Sequence, residues 1–215
     1  MKTIAKIERT DWFEFDGSFG CSQDWYGIKW RRLAGCGPTT AANIFYYASR
    51  LDPRYKQLYE YQPCDARENL AQLMNDVWEY ITPTQMGLFK TRQFAEGAER
   101  YARTRGVKLA CRLFNKGEAN SLANGSNSES KEDFFSFIAN GLREGLPLGF
   151  LNLSNGKLDN LHTWHWVNLL TLETDEANNY FSLASDEGAA KMLNMSLWFE
   201  TTSHGGGIAA IYPAK

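Results

Sequence analysis

The chain has 215 residues, 43% of them hydrophobic and 14% aromatic, with a formal net charge of −2 at pH 7 and a pI near 6.0. That is enough apolar residue for one good-sized core, and nothing divides the chain, so a single domain over 1–215 is expected. A balanced charge gives no footprint for nucleic acid, no apolar run is long enough to cross a bilayer, and the charged start Met1-Lys-Thr-Ile-Ala-Lys-Ile-Glu-Arg9 has no signal-peptide core, so a cytoplasmic protein is expected.

Residues 1 to about 35 read as loop-rich, with Trp12, Phe13 and Phe15 in a short strand or packing arm. Within them Ser22-Gln-Asp-Trp-Tyr-Gly27 is polar and aromatic, and Gln23 could turn its amide N–H toward a developing oxyanion. Read without its neighbours, Gln23 is an ordinary surface glutamine.

Next comes Leu33-Ala-Gly-Cys-Gly-Pro-Thr-Thr-Ala-Ala-Asn-Ile-Phe-Tyr-Tyr47, a tight turn that runs straight into a helical pattern. Ala41, Ile44, Phe45 and Ala48 fall at i, i+3, i+4 and i+7, which predicts one apolar face. Pro38 fits the first turn, where its missing N–H is no loss. Cys36 therefore sits at a helix N-terminus, where unpaired N–H groups and the macrodipole favour a thiolate. Gly35 and Gly37 are expected to leave the sulfur uncrowded and let a substrate carbonyl approach the backbone. The plain alternative is a small buried hydrophobe, because a cysteine of this kind needs a partner base to be a nucleophile.

This helix is predicted to end near Arg50, before Asp52-Pro53. Asp65-Ala-Arg-Glu68 has capping-box spacing and opens a second helix to about Tyr80, and a third runs from about Thr91 to Arg105 with Gly106 as its C-cap. Val107, Leu109, Cys111 and Leu113 alternate as in a half-buried strand, which turns Cys111 inward. Asn115 to Lys131 is rich in Asn, Ser and Gly and is expected to be an exposed loop. A helix follows over Glu132–Arg143. Strands are expected over Pro147–Leu153, Trp164–Leu172, Tyr180–Asp186 and Ile208–Tyr212, with Met192–Phe199 either strand or short helix. Helices first and an antiparallel sheet second make an α+β arrangement.

The four cysteines, Cys21, Cys36, Cys64 and Cys111, are scattered without a Cys-x-x-Cys pair, so free thiols are expected, with neither a zinc ribbon nor a disulfide framework. Cys64 is the rival nucleophile by position but lacks flanking glycines. The histidines are His162, His165 and His204. His165 begins a strand and shares a face with Val167 and Leu169, so it is the candidate base, whereas His162 has the opposite parity and belongs to the preceding loop. Spacing of i and i+3 splays His162 and His165 to opposite faces, which argues against a two-histidine metal site. If Trp164–Leu172 and Tyr180–Asp186 form a hairpin, Asp186 comes beside His165 and would fix its tautomer. Asp175, in the turn, and Glu187, of opposite parity, are weaker partners, and Asp186 before Glu-Gly also reads as a turn residue.

On Gly35-Cys36-Gly37-Pro38-Thr39-Thr40-Ala41, His165-Trp166-Val167 and Ser185-Asp186-Glu187-Gly188, the sequence resembles the papain-like cysteine peptidases, closest to the branch of double-glycine-leader, bacteriocin-processing peptidases. The resemblance spans about Gln23 to Tyr212, with a longer stretch between the Cys36 helix and the first strand than in compact members. It implies a helical part, about 36–144, packed on an antiparallel sheet, about 145–213. It implies that Cys36 attacks an acyl carbon of a peptide or protein substrate, that His165 is base then acid, and that Asp186 orients His165. It also implies an oxyanion donor upstream of the cysteine; Gln23 is the only glutamine there, and it lies further upstream than the family's spacing. No metal or organic cofactor is required by this chemistry. Two other readings share the scaffold: acyl or amide-group transfer to an amine, and an inactive binding module that uses Trp25, Tyr26, Trp30, Tyr46 and Tyr47 as a contact surface.

Overall fold

A computed structural model describes residues 1–60, 67–117 and 130–214. Cys64, the start of the Asp65–Glu68 capping box and the centre of the 115–131 loop lie outside the described residues.

The helices are α1 (Lys29–Ala34), α2 (Cys36–Leu51), α3 (Arg67–Trp78), α4 (Thr91–Thr104), α5 (Lys131–Arg143) and α6 (Met195–Thr201). The strands are β1 (Lys2–Lys6), β2 (Glu14–Phe15), β3 (Ser18–Phe19), β4 (Leu109–Lys116), β5 (Leu148–Asn152), β6 (His165–Leu169), β7 (Thr171–Thr174), β8 (Tyr180–Asp186), β9 (Ala189–Asn194) and β10 (Gly206–Pro213). The chain is thus α+β with a large antiparallel sheet, in the order β1-β7-β8-β6-β5-β10-β4, and with β9 added on β8.

Several expectations need correction. The sheet is not confined to the second half of the chain: β1 pairs with β7, and β4 pairs with β10 along its full length. The strand expected over Trp164–Leu172 is broken at Leu170 into β6 and β7. These two run end to end along one side of β8, with Leu170 N–H donating to the Leu183 carbonyl at 2.9 Å. Met192–Phe199 divides between the end of β9 and α6, which Asn194 caps by accepting from the Leu197 N–H. Asn115 and Lys116 belong to β4 and Lys131 to α5, so both ends of the stretch expected as a loop are regular structure instead. Trp12 and Phe13 lie in a short 3-10 turn that leads into β2 and β3.

Helix α2 is the axis of the molecule. Every residue from Gly37 to Ala48 is buried, so the single apolar face predicted from periodicity understates it: a helix buried all round is a core helix. Phe45 stacks on Tyr101 of α4 with ring centroids 4.9 Å apart. Tyr46 and Tyr47 satisfy the requirement that a buried phenol find a partner, Tyr47 Oη accepting from the Arg9 N–H at 3.1 Å. Tyr26, Tyr46 and Tyr47 are at most 2% exposed, so of the aromatics assigned to a contact surface only Trp30, at 44%, stands well out in solvent.

Helix α2 packs against β6 through side-chain amides. Asn43 Nδ2 donates to Asn168 Oδ1, Asn168 Nδ2 donates to the Thr40 carbonyl, and Asn43 Oδ1 accepts the Cys21 N–H. This network joins the N-terminal half of α2 to the strand that begins at His165. Among the described residues no helix is long and apolar enough to cross a membrane.

Candidate active site

Cys36 is the first residue of α2 and is half-buried, with no acidic side chain in the helix's first turn to oppose the macrodipole. The glycines beside it serve packing rather than openness. A Cβ on Gly35 would run into the Arg31 carbonyl and the Tyr26 ring, and a Cβ on Gly37 would come within 2.5 Å of Leu88. Leu88 is in turn fastened to β6, its carbonyl accepting from Trp166 Nε1 at 2.6 Å.

His165 opens β6 and is 5% exposed. Its Nε2 lies 2.6 Å from Asp186 Oδ1. An ionised carboxylate only accepts, so Nε2 carries the hydrogen and Nδ1 is the nitrogen left over, in a residue that lines one small cavity with Cys36. Burial alone would pull the imidazole down, but its bond to Asp186 and its interaction with Cys36 outweigh it and raise its pKa to about 10. Burial pushes the Asp186 carboxyl up, and its bonds to His165 and Lys191 more than reverse this, leaving it below its ordinary range.

Asp186 meets His165, but not as a directly opposed pair. β6 and β8 pair Asn168 with Ser185 and Leu169 with Ala184. Continued, that register sets Asp186 across from Val167, so its carboxylate reaches His165 along the diagonal, within the span that long side chains cover. The turn after it uses Glu187 and Gly188, both at positive φ (51° and 81°), and returns the chain into β9. From β9, Lys191 Nζ donates to Asp186 Oδ2 at 2.7 Å. The sequence reading missed Lys191. The signal that would have found it is the two-residue Glu187-Gly188 turn, which makes Asp186–Ala189 a hairpin end and puts Lys191 on Asp186's face.

Gln23 begins a 3-10 turn, Gln23–Trp25, capped by Ser22. Despite its distance from Cys36 along the chain, it lines the same small cavity, of about 10 Å3, with Cys36, His165 and Glu187. Helix α1 occupies the intervening chain and folds the glutamine back. Gln23 Oε1 is buried there with no protein partner.

The other candidates fall outside this group. His162 is exposed, and its Nε2 is 4.0 Å from Glu187 Oε2. Its ring is nonetheless 5.9 Å from that of His165, edge to face, so the two are not splayed to opposite faces. Trp164 at φ 54° turns the chain between them, and strand parity does not reach back to His162. Asp175 caps its own turn, accepting from the N–H groups of Ala177 and Asn179. Cys21 is buried and Cys111 half-buried, its Sγ 3.9 Å from the Ala95 carbonyl; burial holds both thiols far above the usual range. His165, Asp186 and Glu187 offer potential metal-ligand atoms within 4.8 Å of one another. However, both Asp186 oxygens already bind His165 and Lys191, so a cation there would have to displace them.

Trp164, immediately before His165, holds an exposed ring against Phe89, centroids 6.1 Å apart, from a left-handed backbone that bulky residues rarely adopt. No protein-family model and no curated protein matches this chain, so the chemistry must be argued from this arrangement of side chains.

Proposed function

We propose that the chain is a thiol hydrolase of the cysteine-peptidase type, cleaving a peptide or amide bond. One observation carries the reading: a buried imidazole is hydrogen-bonded to a buried carboxylate and lines one small cavity with a helix-terminal cysteine. That is a nucleophile, a base and an orienting group in sequence. A papain-like arrangement, with the cysteine heading a core helix and the histidine heading a strand of the sheet beneath it, accommodates the same groups.

In this reading Cys36 attacks the acyl carbon as a thiolate. The proton held at His165 Nδ1 passes to the leaving amine as the tetrahedral intermediate collapses to a thioester. His165, now neutral, takes a proton from water as that water attacks the thioester, and release of the acid restores Cys36. Asp186 keeps Nε2–H aimed at itself, and so keeps Nδ1 toward the sulfur. Gln23 serves the oxyanion: its Oε1, like Thr39 Oγ1, is a buried polar atom of the cavity lining with no partner, and a half-turn of the amide presents its N–H groups to a substrate oxygen. The exposed Trp164 ring beside His165 gives an apolar side chain of the substrate a surface to lie on.

The test is iodoacetamide labelling of the native protein at mildly acidic pH, read by peptide mapping. Cys36 is expected to react well before Cys21 and Cys111, and His165→Ala to remove that preference. Labelling of all the cysteines at one rate, unaffected by His165→Ala, would overturn the proposal. With a substrate in hand, His165→Ala is expected to lower the rate by about 10²–10⁴, and product analysis with and without an added amine separates hydrolysis from acyl transfer.

A further inference from the structure

We infer that Lys191 is a positioning residue for the thiol chemistry, a permanent counter-ion that holds Asp186 ionised and turned toward His165 throughout the cycle. The inference rests on the assignment of Cys36, His165 and Asp186 made above.

Its basis is a line of charges across three strands. β8 is the middle strand, flanked by β6 and β9. β8 and β9 pair Ala184 with Lys191 and Asp186 with Ala189, so Lys191 lies diagonal to Asp186 on one flank, as His165 does on the other. Each takes its own oxygen: His165 Nε2 is 2.6 Å from Oδ1 and Lys191 Nζ is 2.7 Å from Oδ2. The Asp186 side chain has 0% exposure and that of Lys191 25%. Two charge-assisted bonds from opposite sides fix the plane of the carboxylate, which one bond would leave free to rotate.

The need for a second cation follows from the proposed reaction. A carboxylate with no access to water is tolerated only when it is paired. His165 is a cation only until it gives its proton to the leaving group. At that moment Asp186 would be a buried anion facing a neutral ring, and would tend to take a proton and release Nε2. Lys191 gives up no proton in the proposed reaction and stays bonded to Oδ2, so it keeps Asp186 anionic through this step. Glu187 sharpens the need. Its carboxylate oxygen lies within 4.8 Å of the nearest polar atoms of His165 and Asp186, adding a second negative charge, while its other charged neighbour, His162, is exposed. The charged and titratable groups around Asp186 are thus His165, Lys191, Glu187 and, beyond Glu187, His162.

The experiment uses the full chain carrying Lys191→Gln, Lys191→Met or Lys191→Arg. Two quantities are measured against pH: the Asp186 carboxyl signal by 13C NMR, assigned with Asp186→Asn, and the rate of Cys36 alkylation by iodoacetamide. Loss of the lysine charge is expected to raise the Asp186 midpoint by about 1 pH unit or more, and to move the acid limb of Cys36 alkylation upward with it. Arg is expected to preserve both. Gln keeps a hydrogen-bond donor in place, so it answers the question even if Met perturbs folding. A midpoint unchanged in Gln and Met overturns the proposal, as does a midpoint that moves without any change at Cys36. Failure of the underlying reading looks different: wild-type Cys36 alkylation would be indifferent to His165→Ala, whatever the carboxyl signal does.

Discussion

Asn43 Nδ2 lies 2.9 Å from Asn168 Oδ1, a buried amide-to-amide bond that ties the Cys36 helix to the His165 strand. Both residues are at most 3% exposed. Each amide is also used at its other end, Asn168 Nδ2 on the Thr40 carbonyl and Asn43 Oδ1 on the Cys21 N–H. The proposed nucleophile and base, Cys36 and His165, come from distant parts of the chain, so something must set their relative height, and apolar packing alone is not directional enough to do so. Replacing Asn168 with the similarly sized Leu strands the Asn43 N–H, while the Thr40 carbonyl, inside α2, keeps its helical donor. The expected cost is about 1–3 kcal/mol for that one buried group left unpaired, read by urea unfolding. Cys36 alkylation in the still-folded variant is expected to lose its dependence on His165, because small misplacements of reacting groups are costly. A variant of wild-type stability with intact Cys36 reactivity would show that the amides merely fill space.

The two glycines around Cys36 separate packing from conformation. Gly35 sits at φ −85° and ψ 2°, which an alanine can adopt. Any penalty for Gly35→Ala is therefore steric, from the Arg31 carbonyl and the Tyr26 ring. The carbonyl is backbone and cannot step aside without moving α1. Gly37 meets only the Leu88 side chain, hardest at a terminal methyl that can rotate and more loosely at its Cβ, 3.3 Å away. Gly35→Ala is expected to cost about 1–3 kcal/mol, in the range of overpacked cores, and Gly37→Ala distinctly less. Denaturant midpoints of the two variants check the order. Equal costs, or the reverse order, would mean that the backbone of α1 yields more readily than Leu88.

How much of this was readable in advance depends on the range of the signal. Cys36 at a helix start is written in neighbouring residues, Gly35, Gly37 and Pro38, and the structure places it there. His165 at the head of a strand and Asp186 at the end of another follow from period-two parity, and both strands have those ends. Their meeting depended on pairing two nearby segments, which short-range reasoning handles well. The joining of β1 and β4 to the sheet is non-local: nothing in Lys2–Lys6 or Leu109–Lys116 names its partner strand. The burial of α2 on all sides was hidden because Asn43, Tyr46 and Tyr47 look like a polar face. Their polar atoms are satisfied by Asn168, Arg50 and Arg9, contacts that exist only in the folded chain. Ala189-Ala-Lys191 carries no pattern that points to Asp186 unless the turn before it is recognised. The proximity of Gln23 to Cys36 rests on α1 reversing the chain, which linear spacing does not convey.

The His165–Asp186 pair makes a prediction about stability against pH. The imidazole is raised from an ordinary value of 6.5 to about 10 in the folded protein, so the folded state holds that proton more tightly than the unfolded chain does. Its contribution is therefore complete below about pH 6.5 and is lost as pH rises through about 10. Asp186 is lowered from an ordinary 3.8, so its contribution is complete above that value and is lost as pH falls below it. Between roughly pH 4 and 6.5 both contributions are present in full. Asp186→Asn removes the pairing, and the wild-type advantage in unfolding free energy is expected to be greatest in that window. It should then decline steadily as pH rises toward 10, leaving the part due to the Lys191 bond. Urea unfolding of both proteins at a series of pH values from 5 to 10 gives the difference directly and cancels the tyrosines and lysines common to both. A difference that is flat across the range, or that grows toward alkaline pH, would mean that His165 is neutral at pH 7 and that Asp186 is held by Lys191 alone.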